Sequence, residues 1–94
     1  MLPEYITATL KLVEDAFPKG IDEDEFYALL KILGEHLSQR NLALAMSAVA
    51  DKDYAFVYNE VLGIAGKVVP EETMRVVQQK LDANGFQNWL SVIE

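Results

Sequence analysis

The chain has 94 residues, no cysteine, and fifteen acidic against eight basic side chains, for a net charge of -7. That length suits one domain with a single modest core, and a hydrophobic content of 51% is too high for a disordered chain. Disulfides and cysteine-based zinc sites are excluded, and the acid excess repels phosphate backbones and anionic lipid while attracting basic partners.

The spacing predicts a first helix over Pro3 to Phe17. Pro3 suits a first helical turn, and Glu4 faces the positive end of the helix dipole. Ile6, Leu10, Val13 and Phe17 recur on one face, and Pro18 with Gly20 ends the run. A second helix is expected from Glu23 to Leu37, with Asp22 as N-cap and Glu25 placed for a capping box. Its core stripe is Phe26, Leu29, Leu30, Leu33 and Leu37. Tyr27 and Ile32 widen that stripe, as contact with more than one neighbour requires.

A third helix is expected over Gln39 to Ala50, capped by Ser38, with Leu42, Ala45, Met46 and Val49 facing inward. After the polar break Asp51-Lys52-Asp53, a fourth is expected from Asp53 or Tyr54 to Val68. Tyr54, Val57, Tyr58, Val61, Ala65 and Val68 share its face. Gly63 and Gly66 fall inside that helix, where each costs about 1 kcal/mol relative to alanine. They imply close backbone packing, fraying or a kink, with close packing the preferred account. A fifth helix opens at Pro70. Glu71 and Arg75 are spaced as an i,i+4 pair, Met74, Val77 and Leu81 face inward, and Asn84-Gly85 is the stop. Phe86, Trp89, Leu90 and Ile93 then form a short apolar tail at helical spacing. Connections this short place consecutive helices beside each other.

Few residues suggest chemistry. His36 is the only histidine, and its neighbour Glu35 points elsewhere on a helix; a histidine near a helix C-terminus, favoured by the dipole, explains it. The acids Asp22, Glu23, Asp24 and Glu25 sit at a helix start, where they stabilise the dipole. As a calcium loop they fail, because Tyr27 stands where the turn needs glycine, and a loop opened at Asp51 meets Phe56 there. Ser38, Ser47 and Ser91 have only His36 as a base and lie in no nucleophile elbow. Gly63-Ile64-Ala65-Gly66 lacks the strand before it and the lysine-serine after it that a phosphate loop needs. Read as a helix-turn-helix, the second and third helices would present Gln39, Arg40, Asn41 and Ser47 to base edges, with Arg40 the only positive charge.

The tail residues Phe86, Trp89, Leu90 and Ile93 are the candidate interaction surface, because tryptophan and phenylalanine are common interface anchors. The simpler expectation is that the tail folds back on the first or fourth helix and seals the bundle, burying Trp89.

The turn Phe17-Pro18-Lys19-Gly20-Ile21, the aromatic Phe26 and the leucines Leu29, Leu30, Leu33 and Leu37 form a pattern. Pro70-Glu71-Glu72, Val76 or Val77, Leu81 and Gly85-Phe86 continue it. On these features the chain resembles the domain-of-unknown-function family 3349, a set of short helical bacterial proteins. The resemblance runs from about Lys11 to Phe86. It departs at the close, where the family has Gly-Trp-Pro and this chain has Gly85-Phe86-Gln87. The resemblance implies a small helical bundle and carries no catalytic residue with it.

These readings lead to an all-α, compact single-domain bundle spanning 1–94, of about five helices plus a short C-terminal helix. The expected function is a non-catalytic acidic protein-interaction module, self-associating or binding a basic partner. The alternative is a helix-turn-helix-like nucleic-acid-binding regulator. No catalytic, cofactor-binding or metal residue is assigned. Met1-Leu2-Pro3-Glu4 lacks the basic region of a signal peptide, and no apolar run reaches a membrane span, so no membrane partner and a cytoplasmic location are expected.

Overall fold

A computed structural model of the chain describes residues 3–93. Among them are six α-helices and no strand: α1 Glu4–Ala16, α2 Glu23–Leu33, α3 Gln39–Ala50, α4 Tyr54–Leu62, α5 Glu71–Ala83 and α6 Phe86–Ile93. A single 3-10 turn, Ile64–Gly66, follows α4. The all-α bundle expected from the helical periodicities is the fold observed.

Helix α1 buries Ile6, Thr9, Leu12, Val13 and Ala16. Its inward face is thus rotated from the expected one, and Leu10 is only half-buried. Phe17 leaves the helix with φ -132° and stays in the core, while Gly20 reverses the chain at φ +93°, a conformation side chains rarely adopt. Asp22 then caps α2. Its Oδ1 accepts from the Glu25 N–H at 2.8 Å, and Glu25 Oε1 accepts from the Asp22 N–H at 2.9 Å, which completes the capping box.

Leu29, Leu30 and Leu33 of α2 are fully buried. Each contributes about 1.5–3 kcal/mol of transfer free energy, so this row forms the centre of the core. The helix ends at Leu33, short of the expected Leu37, because Gly34 closes it. A Cβ at Gly34 would stand 2.5 Å from the Leu30 carbonyl oxygen and 3.3 Å from Leu42 Cδ2, so the start of α3 is pressed against this point. The N–H groups of His36 and Leu37 both donate to the Leu33 carbonyl, at 3.0 and 3.1 Å, and turn the chain towards α3.

Helix α3 has its expected bounds. Ser38 Oγ accepts from the Asn41 N–H at 3.1 Å, and Asp51 terminates the helix in the left-handed conformation. Helix α4 stops at Leu62, well before the expected Val68. A Cβ at Gly66 would meet nothing within 4 Å, so this glycine does not mark close packing. With Gly63 it lies where the helix gives way to the 3-10 turn and then to extended backbone. Val68, expected on the inner face, is 89% exposed.

The helices do not simply pack in chain order. Helix α3 lies most extensively on α4 and α1, α2 lies on α5, and α1 also receives α6. The expectation of consecutive neighbours therefore holds for α3 with α4 and fails for α1, whose main partners are α3 and α6. The reversal at Gly20 sends α2 away from α1, and the extended 67–70 segment separates α4 from α5. No helix among the described residues is long and apolar enough to cross a membrane.

Candidate functional site

The residues proposed as an interaction surface from sequence lie against the core. Phe86 and Trp89 are buried, and Leu90 and Ile93 are partly buried against the same cluster. Trp89 stacks on Phe86 with ring centroids 5.5 Å apart and donates its indole N–H to Thr9 Oγ1 of α1 at 2.8 Å. The tail therefore seals the bundle on α1 and does not present the tryptophan as an exposed anchor.

The other polar candidates do not converge. His36 lies in the turn after α2, not within a helix, and sets its ring edge-on to Phe86 and Trp89, 5.8 Å from each. Ser38 caps α3, and Ser47 donates to the Leu44 carbonyl at 2.9 Å. Asp22 and Glu25 are engaged in the capping box, and no group of three or more His, Cys, Asp or Glu able to hold a metal ion occurs among the described residues. Arg75 pairs with Glu72, not with the expected Glu71, through both guanidinium and carboxylate forks. Arg75 thereby holds the Glu72 carboxyl below its ordinary range, and Glu72 raises the guanidinium. Helix α3 turns Leu42, Ala43, Ala45 and Met46 into the core, which leaves Arg40 as the one positive charge on its exposed side.

A concave site forms elsewhere, between the α1–α2 turn, the start of α2, the end of α3 and α4. Gly20 and the Asp22 cap bring Ile21 to its edge and place Phe26 and Tyr27 on its floor, edge-on to each other at 5.3 Å. The last turn of α3 supplies Val49 and Ala50. The left-handed Asp51 then carries the chain across to α4, whose Phe56 forms the far wall and is 47% exposed. The cavity encloses about 440 Å³, within the range of ordinary binding clefts. A wider, shallower depression of about 710 Å³ lies between α2 and α5, lined by Ile32 and Met74 together with Glu35, Glu71, Glu72 and Arg75, and it has no aromatic lining.

Charge is arranged around the aromatic floor. Asp22, Glu23 and Lys52 line the cavity. The Tyr27 hydroxyl donates to Glu60 of α4, and the Lys67 ammonium sits 4.1 Å above the centroid of the Tyr27 ring. The Lys52 ammonium lies 5.6 Å from the centroid of Phe56. The hydrogen bond to Glu60, followed by burial and then the negative charges of Glu60 and Glu23, pushes the Tyr27 phenol up to about 12. The arrangement offers apolar contact, π-faces and carboxylates, with no nucleophile–base pair among them.

Sequence periodicity does not reveal this groove, because its walls come from separate elements. One signal was present: Phe56 is a large aromatic that falls off the apolar stripe of its own helix. Comparison with protein-family models, with curated proteins and with solved structures finds no match for the chain.

Proposed function

We propose that the chain is a non-catalytic protein-interaction module and that the groove between α2, α3 and α4 receives its partner. The observation that carries this reading is Phe56. It is a large aromatic side chain left half in solvent on the far wall of a cavity that the buried Phe26 also lines, built by four separate segments. Exposed aromatics beside a preformed cavity are the usual anchors of protein recognition. The commitment of Ser38, Ser47 and the capping carboxylates to backbone hydrogen bonds supports a role in binding without catalysis. The resemblance to family 3349 enters the proposal as a shared pattern of turns and core residues, and with it a bacterial cytoplasm as the setting.

Photocrosslinking in the native cell tests the reading. A photoreactive phenylalanine analogue at position 56 is expected to capture one discrete protein. The same analogue at position 87, an exposed site on α6, is expected to capture none. Capture from position 87 with none from position 56 would move the interface away from the groove and reject the assignment.

A further inference from the structure

The chemistry of the groove also specifies its occupant, given that the groove is the binding site. We infer that it takes a cationic amphipathic helix of a partner protein, with an apolar side chain seated between Phe26 and Phe56 and a lysine or arginine beside it facing Glu23. The first ground is what the aromatic rings already hold. Two rings that line the groove each carry an ammonium group of this same chain, Lys67 over Tyr27 at 4.1 Å and Lys52 near Phe56 at 5.6 Å. Phe56 and Lys52 both line the cavity, so the Phe56 ring offers a cation-attracting face there, whereas Lys67 is not part of the lining. Lys52 is exposed and lines the cavity, so it occupies the place of an incoming cation and can swing into water when one arrives.

The second ground is charge. Asp22 and Glu23 line the cavity, Asp24 follows them, and Asp51 and Asp53 flank Lys52. The whole chain carries -7. A phosphate-bearing ligand or an anionic segment meets repulsion at this rim, whereas a basic segment is steered towards it. A second copy of the chain would bring another excess of acid to the same surface, which disfavours self-association through the groove. The third ground is the lining. The lining is polar and apolar in about equal parts, and a ligand recognised by charge alone would leave Ile21, Val49, Ala50 and Phe56 uncovered. Apolar contact together with a cation is what one face of an amphipathic basic helix supplies.

The test uses the intact chain and three synthetic helical peptides of about 14 residues, near the length at which isolated helices become stable. One alternates leucine and lysine at helical spacing, one replaces leucine with serine, and one replaces lysine with glutamate. Nuclear magnetic resonance shifts and fluorescence anisotropy read the binding. The leucine–lysine peptide is expected to bind, to shift Ile21, Val49 and Phe56, and to weaken as salt rises. Glu23→Lys is expected to weaken it by about tenfold, and Lys52→Met to strengthen it by about threefold. Glu14→Lys, the same charge change on exposed α1, is expected to leave binding within about twofold. Thermal melts of the variants separate lost affinity from lost folding. Asp22 is left intact because it caps α2.

No binding of the leucine–lysine peptide would overturn the inference, as would shifts that map outside the groove. Equal binding of the lysine–serine peptide would reduce the effect to bulk charge and overturn it. Tighter binding of the glutamate peptide, or shifts in the groove that vary with dilution of the protein alone, would assign the groove to another occupant. A crosslink from position 56 that persists when the peptide fails would leave the interaction module standing with a partner of different chemistry. Peptide binding without any crosslink in the cell would do the reverse.

Discussion

Trp89 and Thr9, eighty positions apart, meet in the core through a hydrogen bond of 2.8 Å from the indole N–H to the threonine hydroxyl. The Thr9 hydroxyl in turn donates to the Tyr5 carbonyl at 2.6 Å, so one hydroxyl accepts from α6 and donates within α1. Thr9 is fully buried and Trp89 is 2% exposed, so water has no access to replace either bond. A buried indole N–H without an acceptor forfeits its hydration and gains nothing in exchange.

Thr9→Val should therefore cost about 1–3 kcal/mol of stability, because the shape is kept and the acceptor is lost. Thr9→Ser keeps the hydroxyl and gives up one methyl, and should cost about 1 kcal/mol or less. Urea denaturation of both variants decides the point. Equal losses would show that Thr9 acts by packing alone.

Trp89 emission should be blue-shifted and constant across a dilution series, because the indole is covered by this chain's own α1. A red shift that accompanies dissociation in sedimentation would show that a second copy covers it. Trp89→Ala should cost about 3–5 kcal/mol, the range for truncating a buried tryptophan, and leave a bundle of this size close to unfolded.

Leu30→Ala and Leu33→Ala should each cost about 2–4 kcal/mol, since both side chains are fully buried in the core of the bundle. Urea melts measure the loss. A cost below about 0.5 kcal/mol, the scale of an ordinary surface substitution, would contradict this placement.

Tyr27 supplies a pH signature. Its phenol is raised from 10.0 to about 12 by the hydrogen bond to Glu60, so the folded state holds the neutral form. That contribution is complete below pH 10, the value for the unfolded chain, and is lost as pH rises through about 12. Tyr27→Phe should flatten stability in this window, and Glu60→Gln should bring the Tyr27 ionisation back towards 10.0. Tyrosinate absorbance, compared between the wild-type chain and the Tyr27→Phe variant, isolates the residue. A Tyr27 that ionises at 10.0 in the folded wild type would refute the pairing with Glu60.

Where a single residue type carries the signal, the sequence was legible. Asp22 with Glu25, Ser38 before α3, and Asn84-Gly85 after α5 each mark a boundary through a local hydrogen bond or a backbone angle. The tail stripe was legible as apolar, and of its two expected placements, on the first or the fourth helix, the first is the one observed. Illegible were features that need a neighbour from elsewhere in the chain. The close approach of Leu42 of α3 to Gly34, at the end of α2, shows only in three dimensions. Thr9 appears as an unremarked polar residue until Trp89 stands beside it. The stripe drawn through Val68 assumed that the helical period survives two glycines, which a period count alone cannot test. The groove is less visible still, because Ile21, Phe26, Val49 and Phe56 belong to four segments and share no period.

The separation of Thr9 and Trp89 has a consequence in time. A ribosome that adds about 5–20 residues per second needs roughly 4–16 s to make the eighty positions between them. Through that interval α1 has no α6 to cover it, and the Thr9 hydroxyl lacks its indole donor. Closure of the bundle on α1 therefore follows translation of α6, and slowing synthesis over α6 should prolong the exposure of α1 to holdases.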